Sequence, residues 1–108
     1  MVRDALGFTD LSPEAIAKVK IALLDFLSCA YESLDLPPSR QAIKVAGRAG
    51  GGPATVVGTK VRASAAEASF ANAVLGHGLV REDMHTGSVS HLGIVIFPTL
   101  LALAEERK

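Results

Sequence analysis

The chain has 108 residues, 49% of them hydrophobic, and its 11 basic and 11 acidic residues give a formal net charge of zero. This length favours one domain over residues 1–108, and a balanced charge without a basic run excludes the electrostatic footprint of a nucleic-acid-binding protein. Because we find neither a signal peptide nor an apolar run long enough for a membrane span, we expect a cytoplasmic protein that does not contact membranes.

The apolar content is high for so short a chain, with a mean hydropathy of +0.34. Small proteins have much surface per unit volume, so surplus apolar side chains are hard to bury. We therefore expect a homo-oligomer, a dimer or larger, or further chain that covers this surface. The single cysteine, Cys29, excludes an internal disulfide and is expected to be a small core residue.

The first predicted helix covers residues 13–34. Ser12 is a suitable N-cap, Pro13 suits the first helical position, and apolar residues then recur at steps of three and four. Pro37 and Pro38 are expected to end this helix.

A second, shorter helix is predicted over 39–48, followed by the glycine-rich loop 49–53. A phosphate-binding loop is the functional alternative for these glycines, but no strand precedes them and no Lys-Ser/Thr pair follows at the required spacing. The β-branched segment 54–58 then predicts a short strand or extended segment, paired with 60–62 across Gly58-Thr59.

Ser64 and Glu67 form a capping-box pattern that opens an alanine-rich helix over 65–78. After a loop over 79–93, a last helix is predicted over 94–107. Its apolar residues lie on every side, so we expect it at the centre of the core. Together these elements predict an all-α helical bundle with at most one short β segment near 54–62. The last helix lacks a C-capping glycine, which is typical of a chain cut inside a domain.

The loop 79–93 concentrates the titratable side chains. These are Glu82, Asp83, His85 and His91, with His77 just upstream. A histidine next to a carboxylate is the usual source of a base that works near neutral pH. Gly87 and Gly93 allow a ligand to approach the backbone closely, and Ser88 and Ser90 have hydroxyls that can donate hydrogen bonds to a carboxylate substrate.

Two other interpretations of this loop remain open. His77, Asp83, His85 and His91 are potential metal ligands, but His85 and His91 are six residues apart across a Gly-Ser loop, unlike the tight histidine pairs of zinc sites. We therefore expect no metal. The second interpretation is a solvated loop whose polar side chains only cap the two flanking helices.

The segment "GTKVRASAAEASFANAVLGHGLVREDMHTGSVSHLGIVIFPTLLALAEE" resembles the N-terminal helical region of the MmgE/PrpD family. That family includes 2-methylcitrate dehydratase, cis-aconitate decarboxylase and related epimerases. The resemblance rests on the order and spacing of Asn72, His77, the acidic cluster, His91, Gly93 and Pro98. It implies a much longer protein with a large helical domain, which also forms the dimer, a smaller α/β domain, and an active site between them.

The resemblance implies cofactor-free acid–base chemistry on small di- or tricarboxylates. A proton alpha to a carboxylate is removed, and then water or carbon dioxide is lost, or the carbon is reprotonated. The histidine of the family's loop falls on His91, and Asp83 matches the last acid of its Asp-x-Asp-Asp run. We therefore predict catalytic roles for His91, Asp83 and His85. The predicted substrate-binding residues are Ser88, Ser90 and Gly93, and no cofactor or metal is expected.

Three departures weaken this match. The first acid of the run is Val80 here, the second is Glu82, and the proline that usually follows the histidine is Leu92. The further histidine and the lysines of the family's active site match nothing in this chain. The sequence therefore predicts an N-terminal fragment or truncated relative of such a lyase, inactive alone. The alternatives are an inert helical oligomerisation module and a small anionic-ligand binder.

Overall fold

The structure is a computed structural model that describes residues 10–48 and 50–108. Over these residues the elements, in chain order, are α1 (Pro13–Glu32), α2 (Pro37–Gly47), β1 (Ala54–Thr55), β2 (Arg62–Ala63), α3 (Ala65–His77) and α4 (Gly93–Glu106). The predicted all-α fold with one short β segment is confirmed. In the described part of the chain, no helix is both long and apolar enough to cross a bilayer.

The ends of α1 and α2 are set by local chemistry. Ser12 Oγ accepts a hydrogen bond from the backbone N–H of Ala15 at 3.1 Å, with Pro13 in the first turn, as predicted. The two prolines after α1 occupy the first positions of α2, where a missing N–H costs no hydrogen bond. Helix α2 therefore begins at Pro37, two residues before the predicted start.

The strands β1 and β2 form an antiparallel hairpin in the predicted place. Ala54 pairs with Ala63 and Thr55 pairs with Arg62, and the turn between the strands contains Gly58 at a φ of +73°. Asn72, which is 1% exposed, joins this hairpin to α3. Its Oδ1 accepts from Val57 N at 2.9 Å, and its Nδ2 donates to the Thr55 carbonyl at 2.9 Å.

Helix α3 lies at the centre of the molecule and contacts the other three helices. The predicted capping box of Ser64 and Glu67 is present at its start. Its buried residues are mostly small, so neighbouring helices approach closely: Ala65, Ala68, Ala71, Asn72, Leu75 and Gly76. A Cβ at Gly76 would lie 2.6 Å from Phe26 Cε2, so only glycine lets the Phe26 ring of α1 lie against α3 here.

The expectation that the last helix is the centre of the core is wrong. In α4, Val95, Ile96 and Leu100 are exposed, whereas Pro98 and Ala102 are buried. The central place belongs to α3 because its small side chains allow contacts on several sides. Cys29 is buried as a free thiol, as predicted.

The carboxylate of Glu105 in α4 forms hydrogen bonds with the hairpin. Glu105 accepts hydrogen bonds from Thr55 N at 2.6 Å and from Thr55 Oγ1 at 2.9 Å. Burial alone would raise the pKa of Glu105, but these two hydrogen bonds outweigh it and lower the pKa below its ordinary value of 4.5. The ionised form is therefore the one that stabilises the fold.

Replacing Glu105 by glutamine is expected to lower the free energy of unfolding by about 1 kcal/mol near neutral pH. Because the folded-state pKa of Glu105 is depressed, its contribution is present above the unfolded-state pKa and is lost as the pH falls through the folded-state pKa. Urea denaturation of both proteins across this range measures the difference. An equal deficit of Glu105→Gln at acidic and neutral pH would show that the charge contributes nothing.

Candidate functional site

The chain turns back immediately after α3. Val80 N donates to the His77 carbonyl at 3.1 Å, and Val80 has a φ of +52°, which is rare for a β-branched residue. Beyond this turn the side chain of Glu82 is fully buried. The turn therefore directs a carboxylate into the protein within five residues of the helix end.

Three titratable side chains meet at this point, and we call them the His77–Glu82–His91 cluster. Glu82 Oε1 is hydrogen-bonded to His77 Nδ1 and lies 3.2 Å from His91 Nδ1. The two imidazole rings lie edge to face, with centroids 5.2 Å apart and planes at 67°. The same ring nitrogen of both histidines therefore lies beside one carboxylate oxygen.

The carboxyl group of the cluster is ionised at neutral pH. Burial alone would raise the pKa of Glu82, but the hydrogen bond with His77 and the charges that the two histidines carry when protonated outweigh burial and lower that pKa. A buried carboxylate next to two imidazoles orients the rings and favours a proton on the Nδ1 atoms that face it.

The hydrogen bonding of the cluster is incomplete. Within the described residues, Glu82 Oε2 and His91 Nδ1 are buried and have no hydrogen-bond partner. His91 Nδ1 is near enough to Glu82 Oε1 for an ion pair, but the angles are wrong for a hydrogen bond. Buried polar atoms without partners are uncommon, and these two are atoms to which a water, an ion or a ligand can bind.

His91 combines a buried inner edge with an accessible outer one. Its Nδ1 is buried, yet 23% of the side chain is exposed, so the exposed surface lies on other atoms of the side chain. When the proton of the neutral ring is on Nδ1, beside the Glu82 carboxylate, Nε2 has a free lone pair. An imidazole in this state, beside a carboxylate, is chemically suited to act as a general base.

Asp83, one of the predicted catalytic residues, instead lies at the start of α4. Its carboxylate accepts from Gly93 N at 3.0 and 3.2 Å, and its own backbone N–H donates to Asp25 Oδ2 at 3.1 Å. An acid at this position satisfies an unpaired N–H and interacts favourably with the helix dipole. Asp83 therefore connects α1 to α4, and its described hydrogen bonds include no histidine.

Gly93 is required for that contact. A Cβ there would lie 2.2 Å from Asp83 Oδ1, so the close approach predicted for a ligand serves a carboxylate of the chain itself.

His85, Ser88 and Ser90 belong to a separate surface turn. His85 N donates to the Ser90 carbonyl at 2.9 Å, and His85 Nδ1 is bonded to Ser88 Oγ at 2.8 Å. His85 and Ser88 are exposed and Ser90 is half-buried. These three predicted residues therefore contact one another. None of their described hydrogen bonds is with a residue of the His77–Glu82–His91 cluster.

The catalytic residues predicted from the sequence include Asp83 but neither His77 nor Glu82. Adjacent acids on an irregular segment point in different directions, so the local sequence does not tell which one is buried. The available signal was the spacing of His77 and Glu82 on either side of a predicted helix end, which allows a short turn to bring them together.

A cleft of about 580 Å³ lies elsewhere on the surface. Its lining includes Tyr31, Thr55, Asn72 and Glu105 and none of the histidines. The titratable side chains of this lining are Tyr31, Glu105 and Lys108, and the Glu105 carboxylate is already bonded to Thr55. We therefore take the His77–Glu82–His91 cluster as the candidate site.

Comparison with protein families matches the MmgE/PrpD N-terminal domain over residues 4–108. Searches of curated proteins and of solved structures give no match. The family match spans nearly the whole chain and agrees with the helical fold and with the resemblance read from the sequence. The chain therefore belongs to the MmgE/PrpD family and corresponds to its N-terminal domain.

Proposed function

We propose that this chain supplies one part of the active site of a cofactor-independent lyase that acts on small di- or tricarboxylates such as 2-methylcitrate. The observation that carries the proposal is the orientation of His91, whose Nδ1 lies 3.2 Å from the buried Glu82 carboxylate. Membership of the MmgE/PrpD family supports the reaction class.

In the proposed reaction, His91 Nε2 accepts the proton alpha to a substrate carboxylate. The electron pair of the broken C–H bond forms a carbon–carbon double bond, and a hydroxyl on the neighbouring carbon leaves as water once an acid has protonated it. Glu82 stabilises the imidazolium that forms, as a carboxylate behind a histidine base does in other enzymes. Asp83 acts indirectly, because its contact with Gly93 holds the loop at the start of α4.

A polycarboxylate substrate also needs cationic groups, and the loop offers few. Arg81 is the only lysine or arginine between His77 and Gly93, and it is paired with Glu32 at 2.5 Å on the exposed surface. We therefore propose that substrate carboxylates bind to groups outside this loop, and that the single domain over 1–108 is inactive without a larger catalytic body.

The test is a chimera in which this chain replaces the N-terminal domain of an active MmgE/PrpD 2-methylcitrate dehydratase. We expect the folded chimera to dehydrate 2-methylcitrate. A chimera that is folded and dimeric, yet has no turnover above the uncatalysed rate, would contradict the proposed function.

A second candidate function is assembly, favoured by the exposed face of α1. Ile21, Leu24 and Tyr31 recur at helical spacing and are 58–66% exposed. A stripe of apolar side chains on one helical face is typical of a surface that packs against another helix. We propose that a second copy of the chain covers this stripe in a homo-oligomer.

Replacing Leu24 by glutamate is expected to shift the chain from dimer to monomer, because a carboxylate in an apolar interface has no partner. Sedimentation equilibrium measures the change. The matched control is Val45→Glu, which puts the same charge on an exposed apolar position of α2 and should leave the dimer intact. A wild-type chain that is monomeric at all concentrations would rule out this assembly.

A further inference from the structure

We propose that His77, Glu82 and His91 form a binding site for a divalent transition-metal ion of the Zn²⁺ type. The inference goes beyond the proposed function and does not depend on it, because metal binding can be measured whether or not the chain takes part in a lyase.

The donor set suits such an ion. Each of the three residues offers one ligand atom, and these atoms lie within 4.8 Å of one another. Two imidazole nitrogens and one carboxylate oxygen are common ligands of Zn²⁺, whereas Mg²⁺ and Ca²⁺ prefer oxygen alone. Three protein ligands also leave a fourth tetrahedral position open to water or another ligand.

The spacing of His91 and Glu82 fits tetrahedral coordination. Ligands about 2.1 Å from a tetrahedral zinc ion are roughly 3.4 Å from one another. His91 Nδ1 and Glu82 Oε1 are 3.2 Å apart. His77 Nδ1 lies closer to that oxygen than tetrahedral ligands do, so the His77 ring must move outward by about 1 Å when the ion binds. Its side chain is 45% exposed, which leaves room for that movement.

The unpartnered atoms provide a second, independent observation. Glu82 is 4% exposed, and its Oε2 has no hydrogen-bond partner among the described residues. His91 Nδ1 is also buried and has no hydrogen-bond partner among the described residues. A cation that accepts lone pairs from Glu82 Oε1 and from both Nδ1 atoms gives His91 Nδ1 the partner that it lacks, whereas protons on the two nitrogens compete for one oxygen.

Metal binding has a consequence for His91. When Nδ1 coordinates an ion, a neutral imidazole carries its proton on Nε2, and that nitrogen no longer accepts one. If the proposed function holds, Zn²⁺ is therefore an inhibitor of the base and not its cofactor.

The experiment is calorimetric titration of the apo chain with Zn²⁺, followed by the same titration with Mg²⁺. We expect one Zn²⁺ per chain and no measurable Mg²⁺ binding. His77→Gln, His91→Gln and Glu82→Gln should each weaken Zn²⁺ binding by on the order of tenfold or more. His85→Gln changes the third histidine of the chain, which lies in the surface turn, and should leave the affinity unchanged.

Circular dichroism establishes that each variant is folded. For any variant that is not, the wild-type chain supplies the test through the ring resonances of its three histidines. Zn²⁺ should shift those of His77 and His91 and leave those of His85 in place. The proposal is overturned if Zn²⁺ does not bind saturably to the wild-type chain, or if His85→Gln weakens binding as much as His91→Gln does.

Discussion

Replacing His91 by glutamine in the chimeric lyase is expected to lower kcat/KM by roughly 10²–10⁴-fold, the usual loss when a general base is removed. Glutamine keeps a side chain of similar length that can still form hydrogen bonds, but its amide does not accept the substrate proton. Initial rates of 2-methylcitrate dehydration measure the effect. The loss should appear mainly in kcat, because the proposed role of His91 is in the reaction and not in binding the substrate carboxylates.

The matched control for this variant is His85→Gln, which makes the same chemical change in the exposed turn with Ser88. It should retain the wild-type rate. The two histidines are six residues apart, so a general effect of altering the loop should appear in both variants. Equal losses in His91→Gln and His85→Gln would remove the assignment of His91 as the base.

Replacing Asn72 by leucine is expected to lower the free energy of unfolding by about 2–4 kcal/mol. Leucine has a similar volume, but it leaves Val57 N–H and the Thr55 carbonyl without the partners that Asn72 supplies at 2.9 Å each. An unpaired buried donor or acceptor costs about 1–3 kcal/mol. Because both groups belong to the hairpin, the loss should also free the hairpin from α3. Urea denaturation at neutral pH measures the change.

Gln41→Leu is the control for Asn72→Leu, since it also replaces an amide by leucine but at an exposed position of α2. Its effect should stay within about 0.5 kcal/mol. If Asn72→Leu is as stable as the wild-type chain, the two hydrogen bonds do not hold the hairpin, and the buried amide is replaceable.

The elements that could be predicted from the sequence are those with local causes. The N-cap of α1, the capping box of α3 and the place of the hairpin each depend on residues a few positions apart, and each is found as expected. The start of α2 was missed by two residues, because a proline pair is compatible both with ending one helix and with opening the next.

The position of α4 could not be predicted from its composition. Its apolar residues indicate burial on every side, yet Val95, Ile96 and Leu100 are exposed. Which helix occupies the centre depends on how closely its neighbours can approach. That is decided by Gly76 and the alanines of α3 together with the Phe26 ring.

The candidate site also has one part that the sequence predicts and one part that depends on the fold. His91 was selected from its place in the loop, but its partner depends on the turn at Val80, where the backbone has a positive φ. That turn buries Glu82 and leaves Asp83 to accept from Gly93 N. The contact of Asp83 with the first N–H of α4 agrees with the alternative in which polar residues of the loop cap a flanking helix.

The central claim is that Glu82 acts through His91 as one acid–base unit, and a double-mutant cycle in the chimera tests it most directly. kcat is measured for wild type, Glu82→Gln, His91→Gln and the double variant. If the two residues form one unit, the double variant is no slower than His91→Gln alone, because the carboxylate has no base left to support. If the activation free energy of the double variant rises by the sum of the increases in the two single variants, the residues act independently and the account is contradicted.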